Sequence, residues 1–207
     1  MERFNDAFKS KLYKSIEEIE KNSLVEIVTV IRANSGMYRD ASLWFAVVFM
    51  FLCSIFFMFS PFVFDVYMIW ISTFIAFIIG WLCAELIKPV KRLFIGKKRM
   101  NKNTEIYGRA VFQKGGIGHT EKMTGVLIYV SVFEKQVEII PDRGAFTLIP
   151  AEVWEKMKTD FQTIFQQKDT CEALISMLDS TKPVFSQYIL PIENDINELP
   201  DNLEVEL

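Results

Sequence analysis

Hydrophobic and polar positions change rhythm several times along this chain, and the longest interruption of any rhythm is apolar. Between Asp40 and Glu85 there is no lysine, arginine or glutamate. Two apolar runs fill that stretch, Leu43 to Phe64 and Val66 to Ile87, separated by Asp65 and preceded at the joint by the turn-prone pair Ser60-Pro61. At about 1.5 Å of rise per residue, each run is long enough to cross a hydrocarbon layer of about 30 Å. The pattern predicts a transmembrane helical hairpin.

The flanking sequence reads as a water-soluble domain. Phe4, Phe8, Leu12, Ile16 and Ile19 recur at three- and four-residue steps and predict an amphipathic helix over Phe4 to Lys21. Leu24 to Ile31 is β-branched and short, which predicts a strand, buried apart from Glu26. Ala33-Asn34-Ser35-Gly36 leads into the hairpin. Behind it, Lys88-Pro89 ends the second apolar helix, because proline disfavours helical geometry in the residue before it. Val90 to Asn103 reads as a basic interfacial segment with Val90, Leu93, Phe94 and Ile95 at the lipid boundary. Thr104 is the expected N-cap of a short helix running to Lys114.

Gly125 to Val132, with a β-branched residue at every second position, predicts a strand; Phe133-Glu134-Lys135 turns it, and Gln136 to Ile140 returns antiparallel. Pro141-Asp142-Arg143-Gly144 breaks the second strand. Helices are expected over Ala151 to Gln167 and Asp169 to Tyr188, the latter crossing or kinking at Pro183. From Pro191 the acidic tail lacks aromatics, and disorder is expected. A single early strand cannot bury itself, so it must join the sheet formed after the hairpin. The expected organisation is the first helix and strand over 1–33, a linker over 34–42, the hairpin over 43–87, a basic juxtamembrane segment over 88–103, the rest of the α/β domain over 104–190 and the tail over 191–207.

Charge distribution orients this arrangement. The 207-residue chain carries a net charge of −3, yet Lys88, Lys91, Arg92, Lys97, Lys98, Arg99 and Lys102 follow the second apolar run with no acid among them. Positive residues this close to a span stay on the cytoplasmic side. The hairpin therefore returns both ends to the cytoplasm, giving an integral membrane protein (of the inner membrane, in a bacterium) with its domain and both termini cytoplasmic. Lys97, Lys98 and Arg99 are also candidates for anionic lipid headgroups, at about 1 kcal/mol per basic residue near the surface. Nucleic acid is not expected, since no nucleic-acid-binding motif accompanies the basic run. Cys53, Cys83 and Cys171 are scattered, which suits a reducing compartment. Ala76, Gly80 and Ala84 form a small-residue stripe on which the two helices approach closely or two copies of the chain associate.

The segment Ala110 to Gly144, with Phe112, Gly116-Ile-Gly-His-Thr120, Gly125-Val-Leu-Ile-Tyr-Val-Ser131, Glu134, Val137-Glu138-Ile139 and Asp142-x-Gly144, resembles the TPM domain family. Ile16, Glu20, Ser23 and Glu26-Ile27-Val28 resemble that family's opening helix and strand. The resemblance implies a small α/β/α sandwich, here with the transmembrane hairpin inserted in it. It also implies one of three roles: phosphatase-like activity, binding of a divalent metal such as Ca or Mg at acidic loops, or an accessory part in maintaining a membrane protein complex. The chain departs from many members in carrying its hairpin inside the domain, and in a charge pattern that turns the domain to the cytoplasm.

Asp142 follows a strand end, where acids of α/β folds often face a crevice, and is the first candidate metal ligand; Pro-Asp-x-Gly is also ordinary turn chemistry. Glu134 is the second candidate ligand, against the alternative of a solvated hairpin turn. A hard cation needs several oxygens, so these two and a third acid would have to converge. His119 is the lone histidine, with no serine, cysteine or aspartate at a spacing that defines a triad. Lys114-Gly-Gly-Ile-Gly-His-Thr120 lacks the spacing of both familiar phosphate-binding loops and reads better as a glycine helix cap. The leading expectation is a membrane-anchored binding or accessory module; the alternative is a metal-dependent phosphatase-like hydrolase.

Overall fold

The computed structural model describes residues 5–191 and the backbone of 204–206. Phe4 and the tail positions 192–203 lie outside the described residues. The chain divides into two compact units: residues 36–100, and a second made of 1–35 together with 101–207. The first unit is thus inserted in the sequence of the second.

The α/β unit is built on a small sheet in the order β3-β2-β1-β4. β1 (Glu26–Arg32) pairs parallel with β2 (Gly125–Ser131), in the register Glu26 to Gly125 through Arg32 to Ser131. β2 pairs antiparallel with β3 (Gln136–Pro141). β4 (Glu204–Glu206) lies parallel to the last three residues of β1, so this piece of the tail is a strand and not disordered. Successive strand residues face opposite sides. Ile27, Ile31, Val126, Ile128, Val130, Val137 and Ile139 face a core closed by α1 (Asp6–Glu20), α7 (Ala151–Gln162) and α8 (Thr170–Tyr188). Val28, Val30, Leu127, Tyr129 and Ile140 face Val111 and Phe112 of α5 (Lys97–Lys114) and Ile117. Helices on both faces of a mixed sheet make the expected sandwich.

α1 and α8 run side by side in the same direction. Ser15 donates to Asp179, and one turn on, Lys182 Nζ donates to Glu18 Oε2 at 2.6 Å. α8 continues through Pro183. Past α7 the helix tightens into a 3₁₀ turn, Thr163–Gln166, where a longer α-helix was expected.

The inserted unit contains two helices long and apolar enough to cross a membrane, α2 (Arg39–Phe59) and α3 (Val66–Leu86). Hydrogen bonds step in opposite senses along them, Ser42 Oγ to Glu85 Oε1 at 2.7 Å and Ser54 Oγ with Thr73 Oγ1 at 3.4 Å, so they pack antiparallel. α2 starts four residues before the apolar run and stops at Phe59, because Ser60-Pro61 breaks it and opens the turn between the two helices, as expected of that pair. A Cβ on Gly80 would stand 3.0 Å from Ala46 Cα. Ala76, Gly80 and Ala84 are buried on this contact between α2 and α3. The stripe is therefore the seam on which the two helices approach closely, one of the two uses expected of it.

α4 (Lys88–Leu93) takes Pro89 into its first turn, where the missing N–H costs nothing. The expected interfacial segment is thus two helical pieces, α4 and the start of α5. Thr104 is a fully buried residue inside α5, not its cap. A further helix, α6 (Arg143–Leu148), stands where only a turn was expected, with Asp142 as its N-cap.

Candidate functional site

The two sequence-derived metal candidates occupy opposite ends of β3. Glu134 lies in the turn before it and Asp142 just after it, a separation of about 20 Å at the rise of a strand. They do not converge. Among the described residues no group of three or more His, Cys, Asp or Glu is placed to hold a metal.

Glu134 is 1% exposed, neither a solvated turn nor an open ligand. Its Oε1 accepts the backbone N–H of Ser35 at 2.9 Å and its Oε2 accepts Ser131 Oγ at 2.5 Å. Ser35 Oγ in turn donates to Ser131 Oγ at 2.7 Å. Having given its proton there, Ser35 Oγ accepts from Tyr129, whose hydroxyl is 2.8 Å away. The donors all point toward the carboxylate. Burial pushes the Tyr129 phenol up, only partly offset by the Ser35 hydrogen bond, which keeps its proton available for this chain. Arg32 lies 5.3 Å over the Tyr107 ring, and Tyr107 packs against Tyr129. Ser35, Tyr129, Ser131 and Glu134 are all buried. The cluster therefore fixes the exit of the chain from β1 against the β2–β3 turn and offers no reacting atom to solvent. Ser131-x-x-Glu134 was visible in the sequence as a spacing; Ser35 carried no signal.

At the other end of the sheet, Glu26, Gly125 and Asp142 fall in one row across β1, β2 and the end of β3. Gly125 is in register with Glu26, and its carbonyl accepts Asp142 N at 2.8 Å. The glycines there are close-approach positions. A Cβ on Gly125 would stand 2.2 Å from the Ile117 carbonyl oxygen, and one on Gly144 would stand 2.6 Å from the carbonyls of Lys122 and Met123. Gly116 takes a left-handed conformation, φ 66°, and closes α5 as expected of a glycine cap. Met123 is also left-handed, φ 56°, which costs energy in a residue with a side chain. Asp142 Oδ1 accepts Arg143 N at 2.7 Å, while its buried Oδ2 has no hydrogen-bond partner among the described residues. His119 sits exposed in the 3₁₀ turn Ile117–His119 of the same loop. Glu26 is 7% exposed. These motif residues thus form one packed corner, with two carboxylates flanking a glycine. Residues 92–184 match the model of the TPM domain.

Over that stretch, just under half of the chain, the protein is similar to the TPM domain. The match includes α5 to most of α8, while α1 and β1 precede it. Among solved structures the fold is similar to the NMR structure of BA42 protein from the psychrophilic bacterium Bizionia argentinensis. The two align with a TM-score of 0.60 at 16% identity, over 97% of this chain and 94% of that one; at that identity the likeness is one of fold alone. No curated protein matches the chain.

The lipid candidates separate as well. Arg99 pairs with Asp40, reaches the Met37 carbonyl at 3.5 Å and lies 5.4 Å over the Tyr38 ring. It ties α5's first turn to the start of α2 and is not a free headgroup ligand. Lys97 and Lys98 are exposed.

Proposed function

We propose that this protein is a membrane-anchored TPM module that binds other proteins at the membrane and acts in the maintenance or assembly of a membrane protein complex, with the domain and both flanks of the hairpin cytoplasmic. The observation that carries the reading is the outward character of α2 and α3. Only 11% of the apolar window of each is buried. Phe51, Phe56, Trp70, Ile71 and Phe74 are each around or above three-fifths exposed. An apolar surface of this extent is stable in lipid and not in water. The sheet argues for the same-side return, because β1 before the insert and β2 after it are hydrogen-bonded neighbours. The basic residues from Lys88 to Arg99 argue for the cytoplasm. Met123, Phe146 and Leu148, exposed around α6 between Lys122 and Arg143, suit a protein-binding face.

The test is full-length protein in native membranes. It should resist alkaline carbonate extraction. A cysteine at Lys98 should react with an impermeant maleimide only from the cytoplasmic side. A photo-crosslinker at Phe146 should give discrete adducts with membrane proteins. Extraction by carbonate would end the anchoring reading, and absence of adducts the binding one.

The phosphatase-like reading keeps one supporting observation, the row Glu26–Gly125–Asp142 with its unpartnered Oδ2. A divalent cation there would need oxygens beyond these two carboxylates. Turnover of an aryl phosphate that requires a divalent ion and disappears in Asp142→Asn would favour it over the binding module.

A further inference from the structure

The open end of the hairpin holds a group of cations whose surroundings differ sharply. Lys91 is paired with Glu85 at 2.9 Å, and Arg99 with Asp40. Lys88, Lys97 and Lys98 are exposed and have no acidic partner among the described residues. Among the described residues the buried Nε–H of Arg92 has no acceptor. That nitrogen is closed to solvent, so an anion meets the guanidinium through its terminal nitrogens, where pairing offsets the cost of the partly buried charge.

The apolar side chains of the same segment define where that anion lies. Ser42 and Glu85 are hydrogen-bonded and mark one level of the hairpin. The Phe94 ring stands edge-on to Phe45 at 5.3 Å, nearly a turn further along α2 into the apolar stretch. α4 therefore folds back along the hairpin instead of leading away from it. Leu86 and Leu93 are 80% and 82% exposed beside it. Arg99 and its partners Met37 and Asp40 lie on the polar side of the Ser42 level. Apolar side chains at the depth of Phe45 and unpaired cations around them form the two halves of an interfacial contact: acyl chain on one, headgroup on the other.

We infer that α4 and the start of α5 form a binding site for an anionic phospholipid, with Lys88, Arg92, Lys97 and Lys98 on the headgroup phosphate and Leu86, Leu93 and Phe94 against the acyl chains. The inference rests on the membrane-anchored reading. It replaces Arg99, which the fold uses internally, by Lys88 and Arg92. The lysines supply charge and the guanidinium supplies directed hydrogen bonds to phosphate oxygens.

The test uses the full chain reconstituted in phosphatidylcholine nanodiscs containing a few percent of dansyl-phosphatidylglycerol or, separately, dansyl-phosphatidylcholine. Trp44 and Trp81, both within about a turn of the Ser42–Glu85 level, serve as energy-transfer donors. Transfer to the anionic lipid should exceed transfer to the zwitterionic one about threefold or more. The triple variant Lys88→Gln, Lys97→Gln, Lys98→Gln should bring the ratio close to one without changing circular dichroism. These lysines are exposed, so the variant tests charge and not folding. Equal transfer in the wild type, or an unchanged ratio in the triple variant, overturns the site while leaving the anchor intact. Loss of the preference on adding millimolar inorganic phosphate overturns the lipid assignment in favour of a soluble anion. A chain that does not stay in the disc overturns the anchor and the site together.

Discussion

The backbone N–H of Ser35 donates to the Glu134 carboxylate at 2.9 Å across 99 residues of sequence. Ser35 is the last residue before the inserted unit begins at Gly36. The β1–β2 pairing extends to it, since Val132 N bonds the Arg32 carbonyl and Phe133 N the Ala33 carbonyl, both at 2.9 Å. Glu134 thus terminates a seam that starts at Glu26.

Removing that carboxylate should be expensive. Glu134→Ala strands the Ser35 N–H and the Ser131 hydroxyl in a buried site, at a cost of about 3 kcal/mol. In a chain of this size that lowers Tm by about 6–12 °C. Glu134→Gln keeps the volume and one acceptor and should lose about half as much. Calorimetry on the detergent-solubilised protein decides; a Tm within a degree of wild type for both variants would show that the cluster is not structural.

The glycines of the Asp142 corner should be unequal to those elsewhere. Gly125→Ala drives a methyl into the Ile117 carbonyl and Gly144→Ala into two carbonyls of the neighbouring loop. Each should destabilise by about 2–3 kcal/mol or more, because backbone must move. Gly96→Ala meets nothing within 4 Å and should be neutral or slightly stabilising. Parallel thermal melts of the three variants test the packing; equal Tm values would contradict it.

Acid should loosen the α1–α8 contact first. Burial raises the Asp179 carboxyl, but the hydrogen bonds from Lys182 and Ser15 outweigh it and hold it below its ordinary value. The Lys182 hydrogen bond does the same for Glu18. For depressed carboxylates, the stabilisation is present above the unfolded-state value near pH 4 and is lost as pH falls through the lower folded value. Glu138 runs the other way: burial raises it, so its ionisation works against the fold as pH rises. Lys182→Met should shift the acid-unfolding midpoint upward, while Glu138→Gln should raise Tm at neutral pH. Tryptophan fluorescence against pH, using Trp154 packed beside Phe185 of α8, reads the first effect.

The close approach of α2 and α3 depends on Gly80. Cysteines replacing Ser54 and Thr73, whose oxygens are 3.4 Å apart, should cross-link readily. Adding Gly80→Leu should reduce cross-linking severalfold by separating the helices at Ala46. Undiminished cross-linking would place the glycine away from the contact.

Periodicity and apolar run length were enough to find α1, β1, β2, β3 and the two apolar helices, because each is a local pattern of long span. What local pattern could not show was partnership. Arg99 looked like one more cation in a basic run until the fold brought Asp40 beside it. Glu134 looked like a turn residue because its acceptor role depends on Ser35, far away in sequence. α6 was hidden by Pro141-Asp-Arg-Gly, which satisfies a turn as well as a helix cap, and the strand at Glu204 by the acidity of its surroundings. The Asp142 corner was legible as a motif and not as a geometry: the glycines are there to admit carbonyl oxygens, which leave no mark in a sequence.

The insertion also imposes a schedule. During synthesis β1 is made first and its parallel neighbour β2 only after the whole of 36–100 has been made. No sheet exists in the interval, because β1 alone has nothing to pair with. Both apolar helices are therefore complete while the domain is still open. The domain closes only afterwards, around a strand made before either apolar helix.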